Sequence, residues 1–199
     1  MENQHSVIRY WFGTDPDDAR VANAHASLWW SKKSSIDEEI RRRFKPLVIT
    51  AGKDGLNDWK STAHGKLALI LLTDQFPRNI FRGKPESFGF DEIALDLSLQ
   101  GLAMEQDKLL RPIQRVFFYL PLEHSEDLEH QRRSVKLFRE LLREVPASQR
   151  SIFEGFLNFA LRHQAVIERF GRYPHRNAIL GRESTPEEIE FLKQPGSSF

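Results

Sequence analysis

The segment from Phe170 to Arg182, FGRYPHRNAILGR, sets Arg172, His175, Arg176, Asn177 and Arg182 close together, bracketed by Gly171, Pro174 and Gly181. Guanidinium, imidazole and amide groups at this density are costly to bury and unusual as filler. Arginine forks hold carboxylate or phosphate through two parallel hydrogen bonds. Imidazole exchanges protons near neutrality. The segment therefore reads as the wall of a site for a small anionic molecule. Elsewhere three apolar stretches end in a polar group: Asp74, followed by Arg78 and Asn79; the adjacent pair Glu123 and His124; and His163. If the elements carrying them pack side by side, ten residues converge: Asp74, Arg78, Asn79, Glu123, His124, His163, Arg172, His175, Arg176 and Asn177. Such a site would carry several positive charges, with carboxylates to orient the guanidinium groups.

Each of these residues also has a plain structural role open to it. Asp74 and Arg78 stand four apart, the spacing of a local helix salt bridge. Arg172 and Arg176 can tie down helix ends through terminal carbonyls. A lone histidine on an apolar face is commonly a packed, hydrogen-bonded core residue. The choice between a pocket and a salt-bridge network stays open at this level. Glu123, His124 and His130 suggest a metal, but neither HExxH nor a paired Glu-x-x-His motif occurs, so no metal site is expected. The glycine-rich nucleotide loops and the GxSxG elbow are missing too. The sequence names no cofactor, catalytic residue or reaction.

The elements that must position these groups read as helices throughout. Val7, Ile8, Trp11 and Phe12 mark one face of a helix within Met1 to Gly13. Asp15 with Pro16 can start a second, ending near Trp29 and Trp30. Ser35 and Glu38 form a capping-box pattern for a third, and Pro46 is expected to break the stretch from Phe44 to Trp59. Ser61 to Phe76 is a helix with Leu67, Ile70, Leu71 and Asp74 on one face, stopped by Pro77. Further helices are expected over Glu86 to Met104, from Pro112, and from Ser125 to about Arg143. In Ala147 to Phe170 the stripe Ile152, Phe156, Phe159, His163, Ile167 and Phe170 places His163 on the apolar face, where a buried imidazole needs a partner, Asp74 or Glu123. Thr185, Pro186 and Glu188 signal a last short helix, and Gln194 to Phe199 reads as a tail.

Composition limits the classes. The 199 residues are 40% hydrophobic, which suits a single helical domain over 1–199. Twenty-nine Lys and Arg against 28 Asp and Glu give no electrostatic case for nucleic acid or an acidic membrane surface. With no cysteine there is no disulfide framework and no thiolate chemistry. The N-terminus lacks a secretory layout, and no apolar run nears the roughly 18 residues of a membrane span. A cytoplasmic protein is expected.

Three long motifs carry a resemblance. DQFPRNIFRG at Asp74 to Gly83, LPLEHSED at Leu120 to Asp127 and GRYPHRNAILGRESTPEE at Gly171 to Glu188, with WFG at Trp11 to Gly13, resemble a mostly bacterial family known only as a domain of unknown function and placed in the tetratricopeptide-like helical superfamily. Within it, Tyr173 often stands as Phe. The resemblance implies an all-α, antiparallel array of helices and brings no activity or substrate. Two readings follow: a helical protein binding a small anionic molecule, with or without catalysis, and an interaction module that takes a peptide or protein partner in an aromatic groove lined by Trp11, Trp29 and Trp30.

Overall fold

Every residue from Gly65 to Pro77 is buried, and the rest of the chain is wrapped around that stretch. The structure, a computed structural model, describes residues 2–198; Met1 and Phe199 lie outside it. Among the described residues it contains ten α-helices and no strand. They are α1 (Gln4–Phe12), α2 (Asp18–Trp30), α3 (Ser34–Ala51), α4 (Ala63–Ile70), α5 (Phe76–Ile80), α6 (Asp91–Ala103), α7 (Pro112–His124), α8 (Leu128–Glu144), α9 (Arg150–Phe170) and α10 (Pro186–Leu192). None is long and apolar enough to cross a membrane.

The central run is buried on all sides because it is apolar on all sides, which removes the need for a single stripe. It does not stop at Pro77 as its sequence suggests. Between α4 and α5 the helix widens into a π turn over Leu71–Gln75, and the Phe76 N–H bonds the carbonyl of Leu71. A straight α-helix would press the Pro77 ring on the carbonyl of Thr73 and lack that hydrogen bond. The widened turn absorbs the proline and carries Asp74 into the interior. Around this axis, α1 and α6 pack on α4, α3 packs on α5, and α7 contacts α4 and the π turn. Helices α7, α8 and α9 follow by short connections, so neighbours run antiparallel, and they pack against one another.

Other boundaries differ from the sequence expectation for local reasons. Asp17, not Asp15, caps α2, its carboxylate accepting from the Arg20 N–H, while Asp15 pairs with the Arg20 side chain. Helix α3 begins at Ser34 without a side-chain cap, so the Ser35–Glu38 box is not used. Pro46 lies inside α3 on its exposed face, where the Arg42 carbonyl it leaves unbonded can be hydrated. Helix α6 starts at Asp91 rather than Glu86, and α8 is capped by Asp127 rather than Ser125. On α9 the buried face is Phe153, Ala160, His163, Val166 and Ile167. Phe159 falls off that face and is 49% exposed, its ring covered by the Arg162 guanidinium. Gly171 ends α9 in the left-handed conformation at φ +67°, which turns the chain back towards α7 and α8.

Trp11 and Trp29 are core residues, 1% and 7% exposed, packed on Phe76 and Phe117. Trp30 alone of the three is exposed. Trp11 and Trp29 close the interior between α1, α2 and α7, so the three rings do not line one open groove.

Candidate functional site

The π turn holds the first group. Asp74 is fully buried, yet its carboxylate accepts from Gln75 Nε2 at 2.5 Å and lies 2.6 Å from His124 Nδ1 and 3.3 Å from Arg78 Nη1. Burial opposes its ionisation, but Arg78 and His124 outweigh that and hold the carboxyl well below the usual range. Asp74 is therefore an anion, and His124 Nδ1 is its hydrogen-bond donor. Burial and the Arg78 charge keep His124 below its ordinary pKa, against the pull of Asp74, so the ring is neutral near pH 7. Its side chain is 14% exposed, and no protein group among the described residues bonds Nε2.

Arg78, one turn after Asp74, donates to the Asp74 carbonyl and forks onto Asp91 at the start of α6, at 2.8 and 3.0 Å. Both carboxylates outweigh burial and raise its already high pKa. Asp91 is not among the residues that the sequence singles out. Its signal, an acid at a helix start, is hidden because the sequence pattern begins that helix at Glu86.

Arg176 comes from the 3-10 turn Pro174–Arg176 that follows α9. Its side chain is 9% exposed, and its guanidinium lies 4.5 Å from the Tyr173 ring centroid and 4.8 Å from that of Phe88. Asp91 is its nearest carboxylate, 3.6 Å from Nη1, beyond hydrogen-bond reach. Nε is buried without a partner. Among the described residues no acceptor bonds any of its five N–H groups. Burial and the Arg78 charge lower its pKa, though a guanidinium stays protonated in water's pH range.

Behind these groups sits a second pair. His163 is 5% exposed, and its Nδ1 lies 3.1 Å from Glu123 Oε1 and 2.9 Å from the Phe159 carbonyl. A carbonyl only accepts, so Nδ1 carries the proton. Burial and the nearby Asp74 charge push the Glu123 carboxyl up to about 8, and burial keeps His163 well below its ordinary value. The pair is thus a neutral acid beside a neutral imidazole. Tyr173 packs between them and the last turn: its hydroxyl donates to the Glu123 carbonyl and accepts from Gln131, and its ring contacts those of His163 and His175. Burial and the adjacent Arg176 hold His175 at about 4.

The structure thus gathers Asp74, Arg78, Glu123, His124, His163, His175 and Arg176, with Asp91, Tyr173 and Phe88 added. Three of the ten candidates lie apart. Asn79 turns to α3 and donates to Asp37, which Arg82 also grips. Arg172 forks onto Glu188 of α10 at 2.7 and 2.8 Å, and Asn177 bonds Ser184 and the same Glu188. Those two side chains anchor the C-terminal helix. Nor does the inner cluster carry a net surplus of positive charge: Asp74 and Asp91 match Arg78 and Arg176. Shallow surface clefts run elsewhere, along α9 beside Arg169, Phe170 and Phe191. The cluster is a close packing of side chains whose outer members, His124, Asp91 and Arg78, reach the surface.

Residues 7–196 match the family described as bacterial protein of unknown function, DUF924. The chain belongs to that family. It is similar to the solved structure of a protein of unknown function, ATU0120, from Agrobacterium tumefaciens, with 34% identity and a TM-score of 0.75 over 89% of this chain and 99% of that one. No protein of curated function matches the chain.

Proposed function

We propose that the cluster at Asp74, Arg78, His124 and Arg176 binds a small anionic molecule. One observation carries this reading: Arg176 is nine-tenths buried, its Nε is enclosed without a partner, and neither Nη is hydrogen-bonded to protein among the described residues. Buried guanidinium groups are ordinarily paired, because an unsatisfied buried donor costs on the order of 1–3 kcal/mol. A purely structural arginine would fork onto its carboxylate. Asp91 is instead spent on Arg78 and stays 3.6 Å from Arg176. The two aromatic faces hold the Arg176 plane in place, so a carboxylate or phosphate reaching it would meet a preset fork. Entry requires the outer side chains to part, Asp91 above all. The direct test is whether phosphate or small carboxylates raise the melting temperature, and whether that rise depends on Arg176.

A further inference from the structure

We infer that His124 does chemistry on the anion held at Arg176, accepting a proton from it at Nε2 while Asp74 steadies the imidazolium so formed. Such a role rests on the anion-binding reading above. Its own support is the way the ring is held. Nδ1 is tied to a fully buried carboxylate at 2.6 Å, and that carboxylate is fixed in turn by Gln75 and Arg78. An imidazole held so has one tautomer, with its lone pair on Nε2. That nitrogen has no protein partner among the described residues, on a side chain that is partly exposed at the end of α7.

Asp74, which holds Nδ1 of His124, lies at one end of a chain of charged contacts whose other end is the anion fork. Asp74 touches Arg78, Arg78 grips Asp91, and Asp91 faces Arg176. His163 is not an equivalent base, since its ring faces Glu123, which is held largely protonated near neutrality, and is almost fully buried. The substrate class is a small carboxylate or phosphate with an acidic C–H or O–H beside the anionic group. In the step, the proton passes to Nε2 and the electron pair of the broken bond stays on the ligand atom. Arg78 and Arg176 stabilise that charge. That electron pair then takes a proton back from Nε2, at the same atom of the ligand or at a neighbouring one, so the net change is an exchange or isomerisation and no oxidant or co-reactant is consumed.

Bromoacetate tests this without knowledge of the natural ligand. Its carboxylate occupies the fork, and Nε2 displaces bromide from its methylene: a C–N bond forms, the C–Br bond breaks and bromide leaves. The Nδ1 proton stays in its bond to Asp74. Peptide mapping by mass spectrometry gives the rate at each histidine, with the exposed His5 and His64 as references in the same molecule. The expected result is saturable modification of His124, slowed by acetate and about 10-fold or more faster than with neutral bromoacetamide. Asp74→Asn should lower the His124 rate relative to His64. The comparison of the two reagents on the parent protein stands even if that variant does not fold. Equal rates for the two reagents, or an unmodified His124 while His64 reacts, overturns the inference. If acetate or phosphate still raises the melting temperature in that case, the binding reading survives and only the role of His124 falls. If neither effect is seen, both fall.

Discussion

The carboxylate of Asp91 bonds both terminal nitrogens of Arg78, at 2.8 and 3.0 Å, and comes no nearer than 3.6 Å to Arg176. One carboxylate thus serves one guanidinium fully and leaves its neighbour as an electrostatic contact only. Asp91 also occupies the position an incoming anion would want, since it faces both forks.

Asp91→Asn should therefore have two opposite effects. The folded protein loses a charge-assisted fork at a partly exposed site, at a cost of about 1–3 kcal/mol in urea unfolding. The cluster gains a net positive charge, and the phosphate-induced rise in melting temperature should grow. A variant that is destabilised but responds less to phosphate than the parent would show that Asp91 organises the site rather than competing for it.

Glu123 makes a distinct prediction about pH. Its carboxyl is raised from 4.5 to about 8, so the folded state holds a proton that the unfolded chain gives up. Its contribution to stability is complete below about pH 4.5 and is lost as pH rises to about 8. His163, His124 and His175 are shifted down, so their contributions are complete above about 6.5 and are lost on acidification. Between pH 6.5 and 8 the Glu123 slope stands alone among these four. The free energy of unfolding should fall across that window in the parent and stay nearly level in Glu123→Gln. An unchanged slope in the variant would mean that Glu123 is ionised in the fold.

Three places show how far the sequence reaches. His163 is legible because an imidazole at helical spacing inside an apolar stripe is turned inward and needs a partner; the Phe159 carbonyl of its own helix and Glu123 of α7 share its Nδ1. Phe159 belongs to the same stripe but not to the core, because a stripe of one residue type does not say which edge of the helix the neighbours cover. The π turn at Leu71–Gln75 is not legible, although its cause is. Pro77 reads as a stop because the usual escape from its clash is to end the helix; tertiary burial on every side makes widening the better solution. Spacing alone groups Arg172, Arg176 and Asn177. Only the packing of α10 on the turn separates the anchors to Glu188 from the arginine that faces Asp91.

Lys66 offers a prediction away from the site. It is 2% exposed at the centre of α4, and among the described residues the Met104 sulfur, at 4.0 Å, is its one hydrogen-bond partner. Burial, with the nearby Lys60 charge, lowers its pKa. Its stem runs past Gly101, where an added Cβ would come within 2.3 Å of the Phe118 ring and 3.0 Å of Lys66 Cδ. A charge so placed is poorly solvated. Lys66→Met keeps the volume and removes the charge, and should stabilise the fold by about 1–2 kcal/mol. A clear loss of stability in chemical denaturation would mean that the ammonium reaches water along the Met104 side chain and gains more there than it loses.

Arg176→Ala decides between a pocket and a scaffold. If Arg176 served only to hold the fold, its removal would strand the carboxylate opposite, at roughly 3–5 kcal/mol. Asp91 is not stranded, because Arg78 already satisfies it. What is lost is the stacking of the guanidinium on Phe88 and Tyr173; what is gained is the release of a buried cation that repels Arg78. The two should nearly offset, leaving a change within about 1 kcal/mol, as expected where a residue is kept for binding rather than folding. The parent protein should melt higher in the presence of phosphate, small carboxylates or sugar phosphates. At 100 times its dissociation constant such a ligand adds about 2.7 kcal/mol to native stability. Arg176→Ala should show no such shift. Thermal unfolding of both proteins against that panel separates the two cases. A loss of several kcal/mol in the variant, with no ligand response in the parent, would make the turn after α9 a piece of scaffold and leave Arg176 without a ligand.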